Sequence, residues 1–150
     1  MKERVVRATF VGDTQVGKTK FIITSLIGVF PYEYIPTIFD NYIKTVDFQT
    51  IKYHINMLDT ISDKNLGKQI NDLVYLNSDI VLFCFSVDSK NSLDLIQTYW
   101  IPEVNKMCTN YCCFLVGMKC DMRHSVNKND TQFVTINEAL HVANEIGAIR

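Results

Sequence analysis

One octapeptide constrains this chain more than any other feature: Gly12-Asp13-Thr14-Gln15-Val16-Gly17-Lys18-Thr19. It satisfies G-x-x-x-x-G-K-[ST], the pattern of a phosphate-binding loop, at every fixed position. The flanks agree with it. Residues 5–11 form an apolar run that reads as a strand, and residues 18–27 read as a helix. A loop between them aims backbone N–H groups and the positive end of the helix dipole at an anion. Asp13, Thr14, Gln15, Val16, Gly17 and Lys20 are therefore expected around the phosphates, with Lys18 reaching the β- and γ-phosphates and Thr19 ligating Mg²⁺. The competing reading is a glycine turn that binds nothing.

At 150 residues the chain is long enough for one domain, 1–150, with a hydrophobic core. A net charge of −1 supplies no electrostatic footprint for nucleic acid or an anionic membrane. No apolar stretch is long enough to span a bilayer, and Met1-Lys2-Glu3-Arg4 leads into a strand without a signal peptide. Lys2 excludes N-myristoylation and the residues up to Arg150 hold no prenylation box, so no membrane anchor is expected in this chain. A cytoplasmic protein is expected. The five cysteines form no C-x-x-C pair and read as free, buried thiols, with Cys112 and Cys113 on opposite faces of a strand. His54, His124 and His141 lack metal-ligand spacing.

Apolar runs at residues 5–11, 51–58, 80–87 and 112–117 alternate with helical stretches. Near-continuous runs such as Ile80-Val81-Leu82-Phe83-Cys84-Phe85 suit strands covered on both faces of a parallel sheet. Residues 41–48 and 51–58 flank Gln49-Thr50 and read as an antiparallel hairpin at one edge. Helices are expected at 18–27, around 65–76, at 92–107 with Ser89 or Asn91 as cap, and at 137–146. The last carries Ala139, Leu140, Ala143 and Ile146 on one side and Gly147 as its stop. The polar stretch 124–130 reads as a surface loop. The architecture is α/β, a mostly parallel sheet with one antiparallel edge hairpin and helices on both faces.

Ligands of such sheets bind at the C-terminal ends of the parallel strands. Three ends here carry chemistry: the phosphate loop, Asp59-Thr60, and Gly117-Met118-Lys119-Cys120-Asp121. Asp59 suits the acidic group that holds Mg²⁺ opposite Thr19, although a lone Asp after a strand is also an ordinary turn residue. Lys119-x-Asp121 is more specific. An Asp carboxylate can accept from both the N1–H and the 2-amino group of guanine, a pair that adenine lacks. The expected ligand is GTP or GDP with Mg²⁺.

From residue 5 onward the chain resembles a small GTPase of the Rho family. Phe30-Pro31-Tyr32-Glu33-Tyr34-Ile35-Pro36-Thr37-Ile38-Phe39-Asp40-Asn41-Tyr42 is similar to the Rho-type switch I and effector loop. Ser78-Asp79-Ile80-Val81-Leu82-Phe83-Cys84-Phe85-Ser86, Trp100-Ile101-Pro102-Glu103-Val104 and Glu145-Ile146-Gly147-Ala148 match later elements. The resemblance implies that Phe30 packs against guanine, Tyr34 covers the γ-phosphate, Pro36 belongs with the nucleotide-binding residues, and Thr37 completes the Mg²⁺ shell. It assigns Tyr34, Ile35, Pro36, Thr37, Ile38, Phe39, Asp40, Asn41 and Tyr42 to the surface that meets effectors. For Phe30 and Tyr34, loop aromatics are the plain alternative, and for residues 38–42 an ordinary edge strand.

The departures from the family fall on one step. The family's D-T-A-G-Q appears as Asp59-Thr60-Ile61-Ser62-Asp63, so a carboxylate replaces the glutamine that orients the attacking water and Ser62 replaces a glycine. Thr14 stands where the family usually has glycine beside the γ-phosphate. The loop and the altered switch II resemble those of the Rnd subgroup, which holds GTP without hydrolysing it. No catalytic residue is therefore assigned; Thr14, Ser62 and Asp63 are the degenerate positions. Met118 removes the polar side chain that braces the phosphate loop in the family. The family's last strand and helix have no counterpart in these residues, and a partner covering that sheet face is one expectation. Three functions follow: a locked-on GTP-binding switch engaging Rho effectors or regulators, a GTPase completed by an activating partner, or a nucleotide-free decoy.

Overall fold

Alternating apolar runs become five strands in a computed structural model that describes residues 2–33, 40–63, 67–124 and 132–149. The strands are β1 (Lys2–Val11), β2 (Asp40–Phe48), β3 (Ile51–Asp59), β4 (Ile80–Ser86) and β5 (Cys112–Met118). The helices are α1 (Lys18–Ile27), α2 (Lys68–Tyr75), α3 (Lys90–Leu95), α4 (Ile101–Met107) and α5 (Ile136–Glu145). The strand order is β2-β3-β1-β4-β5. β1 runs parallel to β3 and β4, β4 runs parallel to β5, and only β2–β3 is antiparallel. The expected mixed sheet with one edge hairpin is thus the observed one.

Side chains alternate across the central strands and build two cores. Val81, Phe83 and Phe85 of β4 join Val11, Leu93, Ile96, Trp100 and Val142 on one face. Phe10, Met57 and Cys84 meet Ile22 of α1, with Val16 and Met118, on the other. Each large apolar side chain so buried contributes about 1.5–3 kcal/mol. The clusters also fix position. They bring the ends of β1, β3 and β5 to one edge of the sheet, where Phe10 pairs with Asp59 and Ser86 with Met118.

Several local expectations need correction. β1 starts at Lys2, because its register with β3 extends to the Lys2–Ile51 pair and cross-strand bonding continues past the apolar run. The expected helix at 92–107 begins at Lys90, with Ser89 accepting from the Ser92 N–H, and is interrupted by a π-helical turn at Ile96–Trp100. Pro102 is the physical reason: it has no N–H to donate, and its ring excludes the carbonyl one turn back. The Ile101 N–H instead donates to the carbonyl of Ile96.

The helix expected around 65–76 is α2, which begins at Lys68 with Gly67 as its N-cap; residues 64–66 lie outside the described residues. In α5 the buried residue is Val142, packed with Ala139 and Ile146, while Leu140 is exposed. The face is set by what α5 packs against. The thiols also divide. Cys84 and Cys113 are buried, but Cys112 and Cys120 are exposed, because Cys112 points outward from β5 and Cys120 lies beyond its end. Among the described residues no helix is long and apolar enough to cross a membrane.

Candidate functional site

The turn out of β1 is forced into its shape by close approach. A Cβ at Gly12 would stand 2.1 Å from the carbonyl oxygen of Cys84, so only glycine lets the loop pass over β4. Gly17, at φ 113°, is then the N-cap residue from which α1 starts. No side chain caps that helix and its first turn holds no acidic residue, so its N-terminal N–H groups and dipole face the loop's concavity. Such an end favours a bound anion.

Lys18 lies inside this loop. Its Nζ donates to the carbonyls of Gly12 at 2.8 Å and Asp13 at 3.1 Å, and to the hydroxyl of Ser62. Burial lowers its pKa, and the nearby carboxylates of Asp59 and Asp13 partly oppose that shift. A buried ammonium is costly unless negative charge joins it. The adjacent Cys84 is fully buried and its thiol is pushed up to about 12, so it remains neutral.

Thr19, one residue on, donates its hydroxyl to Oδ2 of Asp59. Asp59 is fully buried at the end of β3. A threonine hydroxyl beside a buried carboxylate is an oxygen donor set that suits a hard cation such as Mg²⁺. Thr60 bonds back to the Phe10 carbonyl at 2.7 Å and fixes the strand end.

The segment that follows is pinned by Asn71 of α2. The Ile61 N–H donates to its Oδ1 at 3.2 Å, and its Nδ2 donates to the Ile61 carbonyl at 2.7 Å. Sequence reasoning did not find Asn71, since a polar residue inside a helix carries no local mark of a long-range clamp.

These parts surround a cavity of about 670 Å³, within the range of small-molecule and cofactor sites. Of the expected site residues, Thr14, Gln15, Gly17, Lys18, Thr19, Lys20, Phe30, Asp59, Ser62, Asp63, Met118, Lys119 and Asp121 line it. The cavity has a cationic, N–H-rich floor at the loop and an oxygen donor pair beside it. Asp121 carries a carboxylate at the far end, in the turn after β5. This donor set fits a nucleoside phosphate with a divalent cation.

Two expected residues are not in the wall. Val16 is buried in the core against α1 and Met118, so its side chain faces away and only its backbone belongs to the loop. Asp13 contributes its carbonyl to Lys18. Met118 does more than omit a polar brace, because its side chain packs into the same apolar cluster as Val16 and supports the loop by contact. Phe30 is half-exposed, edge-on to Tyr32 at 5.8 Å, with Lys20 Nζ 5.0 Å from its ring centroid.

Phe21, Ile23, Thr24 and Met122 also line the cavity and were not anticipated. The α1 residues could have been suspected from helical spacing, Phe21 three after Lys18 and Ile23 and Thr24 three and four after Lys20, but nothing marked Met122. Tyr34, Ile35, Pro36, Thr37, Ile38 and Phe39 lie outside the described residues. Asp40, Asn41 and Tyr42 begin the edge strand β2, where the Tyr42 hydroxyl donates to Asp40 at 3.1 Å. Burial, with that carboxylate, pushes the Tyr42 phenol up to about 12.

Comparison with known proteins agrees with this geometry. Residues 7–150 match the Ras family. The chain is 36% identical over 149 residues to the Rho-related protein racN of Dictyostelium discoideum, covering 99% of this chain and 66% of that protein. It is 35% identical over 150 residues to the GTP-binding protein rho5 of Schizosaccharomyces pombe, covering 96% and 74% respectively. It is 34% identical over 150 residues to the GTP-binding protein rho1 of the same yeast, again covering 96% and 74%. It therefore spans about two thirds to three quarters of these relatives. Ras and Rho GTPases bind GTP or GDP with Mg²⁺. With a phosphate loop, an Asp59–Thr19 pair and a Lys119-x-Asp121 turn around one cavity, the chain belongs to the Ras family of small GTPases, among its Rho-related members.

Proposed function

We propose that this chain is a Rho-like GTP-binding switch that stays in its GTP state, with little or no hydrolysis, and engages Rho-type effectors or regulators. The supporting observation is that Thr14, Ser62 and Asp63, the three departures from the family pattern, all line the cavity beside Lys18. Hydrolysis needs a positioned water, a donor to the transition state and space for an assisting arginine. Asp63 brings negative charge where charge must be dispersed, and Thr14 adds bulk where the family usually has none.

Binding depends on different groups. Lys18 through its positive charge and the N-terminus of α1 through its N–H groups hold the phosphates, and Lys119 and Asp121 hold the base. Thr19 and Asp59 would hold Mg²⁺, with Thr37 as the third ligand by resemblance. The ion neutralises phosphate charge when bound. The loss of hydrolysis and the retention of binding are thus separable in this site, and the first resembles the Rnd subgroup. Residues 38–42 present the effector surface, and the chain works in the cytoplasm.

The test is the nucleotide content of protein purified in Mg²⁺, released by denaturation and separated by ion-pair chromatography. Stoichiometric GTP is expected. Mostly GDP means that hydrolysis survives. No nucleotide means a decoy that keeps only the fold and the partner surface.

A further inference from the structure

An ammonium has three hydrogens to donate. In Lys18 all three have acceptors: the Gly12 carbonyl, the Asp13 carbonyl and the Ser62 hydroxyl. The first two belong to the loop that Lys18 closes. The third comes from across the cavity, from the segment after β3. Ser62 is partly buried and lines the cavity, so its oxygen lies at the boundary between Lys18 and the open space. A hydroxyl that accepts from an ammonium still has its own proton to give.

The position is held from behind. The Asn71 amide brackets Ile61 through both its N–H and its carbonyl. A Cβ at Gly67 would lie 2.8 Å from that of Ile61, so α2 starts close against this segment. The serine also fits the backbone it occupies. Among the described non-glycine residues, positive φ occurs only at Gln15, Gln49 and Lys119. Ser62 is not one of them, so its backbone needs no conformation reserved for glycine.

We propose that the Ser62 hydroxyl is a direct ligand of the terminal phosphate of GTP, accepting from Lys18 and donating its own proton to a γ-phosphate oxygen. This inference rests on the nucleotide-binding reading above. Only hydrogen bonds change, and no covalent step is involved. In this chain the side chain that stands in place of the family's glycine adds a hydroxyl contact to the terminal phosphate. GDP lacks the group that Ser62 recognises, so the hydroxyl discriminates between the two nucleotides and ties the segment after β3 to the triphosphate.

The experiment measures the affinity of the full chain, stripped of nucleotide and supplied with Mg²⁺, for β,γ-imido-GTP and for GDP. Ser62→Ala should weaken the triphosphate analogue about tenfold, the scale of one charge-assisted hydrogen bond, and leave GDP within about twofold. Ser62→Thr, which keeps the hydroxyl, should restore the ratio. Unchanged GDP affinity also certifies that the variant pocket is folded.

An unaltered ratio in Ser62→Ala overturns the inference, as does an equal loss for both nucleotides, which would make Ser62 structural. A tighter triphosphate complex overturns it as well, because Ser62 would then compete with phosphate for Lys18. If the parent chain binds neither nucleotide, the nucleotide-binding reading itself falls and this role falls with it. That result is distinct from the others, in which the parent binds.

Discussion

The hydroxyl of Thr19 and the carboxylate of Asp59 meet at the seam between α1 and the end of β3, 40 residues apart in the chain. Neither residue is informative alone. Together they form a buried oxygen pair beside an ammonium and a helix N-terminus, which is the chemistry of a phosphate-bound divalent cation.

That pair should make nucleotide retention depend on metal. Chelation by EDTA is expected to speed nucleotide release from the parent chain at least tenfold. Asp59→Ala should release nucleotide quickly with or without EDTA. Stopped-flow fluorescence of a bound guanine-nucleotide analogue reads the difference, and an EDTA response undiminished in Asp59→Ala would remove Asp59 from the metal site.

Reversion should restore hydrolysis if Thr14 and Asp63 impair it. The double variant Thr14→Gly, Asp63→Gln is expected to raise single-turnover GTP hydrolysis by about 10–100-fold, through a recovered donor and recovered space. Phosphate release measures it. A parent rate equal to that of the variant would show that these side chains are bystanders.

Base selection should reside in Asp121. Its removal in Asp121→Ala deletes a charged acceptor of two hydrogen bonds, and guanine nucleotide affinity should fall about 10–100-fold. Competition with inosine nucleotide, which lacks the 2-amino group, provides the check. The parent should discriminate strongly between the two, and the variant should not.

Gly12→Ala places a methyl group 2.1 Å from the Cys84 carbonyl, a contact that backbone must move to relieve. The expected loss is about 1–3 kcal/mol of stability, as for overpacking elsewhere. Denaturant unfolding monitored at Trp100, buried in the adjacent core, reads it directly. A full-stability Gly12→Ala would mean that β4 yields at this point.

Stability should fall in acid through Glu138. Its carboxyl is lowered from 4.5 to about 2 by the hydrogen bond from Lys90, then by those from the Thr135 N–H and hydroxyl. The folded value lies below the ordinary one, so the contribution is complete above about pH 4.5 and disappears as pH drops toward 2. Glu138→Gln should flatten that part of the pH–stability curve. Thermal unfolding between pH 2 and 6 compares the two chains.

The phosphate loop, the antiparallel hairpin, the parallel strands and the chemistry at three strand ends were legible in the residues themselves. Each rests on local rules: a fixed glycine–lysine spacing, a period of two, a tight turn at Gln49-Thr50, a polar residue closing an apolar run. The structure alone decided that β1 stands between β3 and β4, and therefore that Asp59 meets Thr19. It decided that Val142 rather than Leu140 faces the core and that Met118 packs beside Val16. It also decided that Ser62 reaches Lys18, 44 residues away in sequence. Such contacts arise from the order of strands and the packing of two faces, and no residue's own pattern encodes what lies opposite it. The sequence by itself determined which chemistry the chain carries; the tertiary structure decided which side chains share it, because hydrogen bonding and van der Waals contact act only over the few ångströms that folding closes.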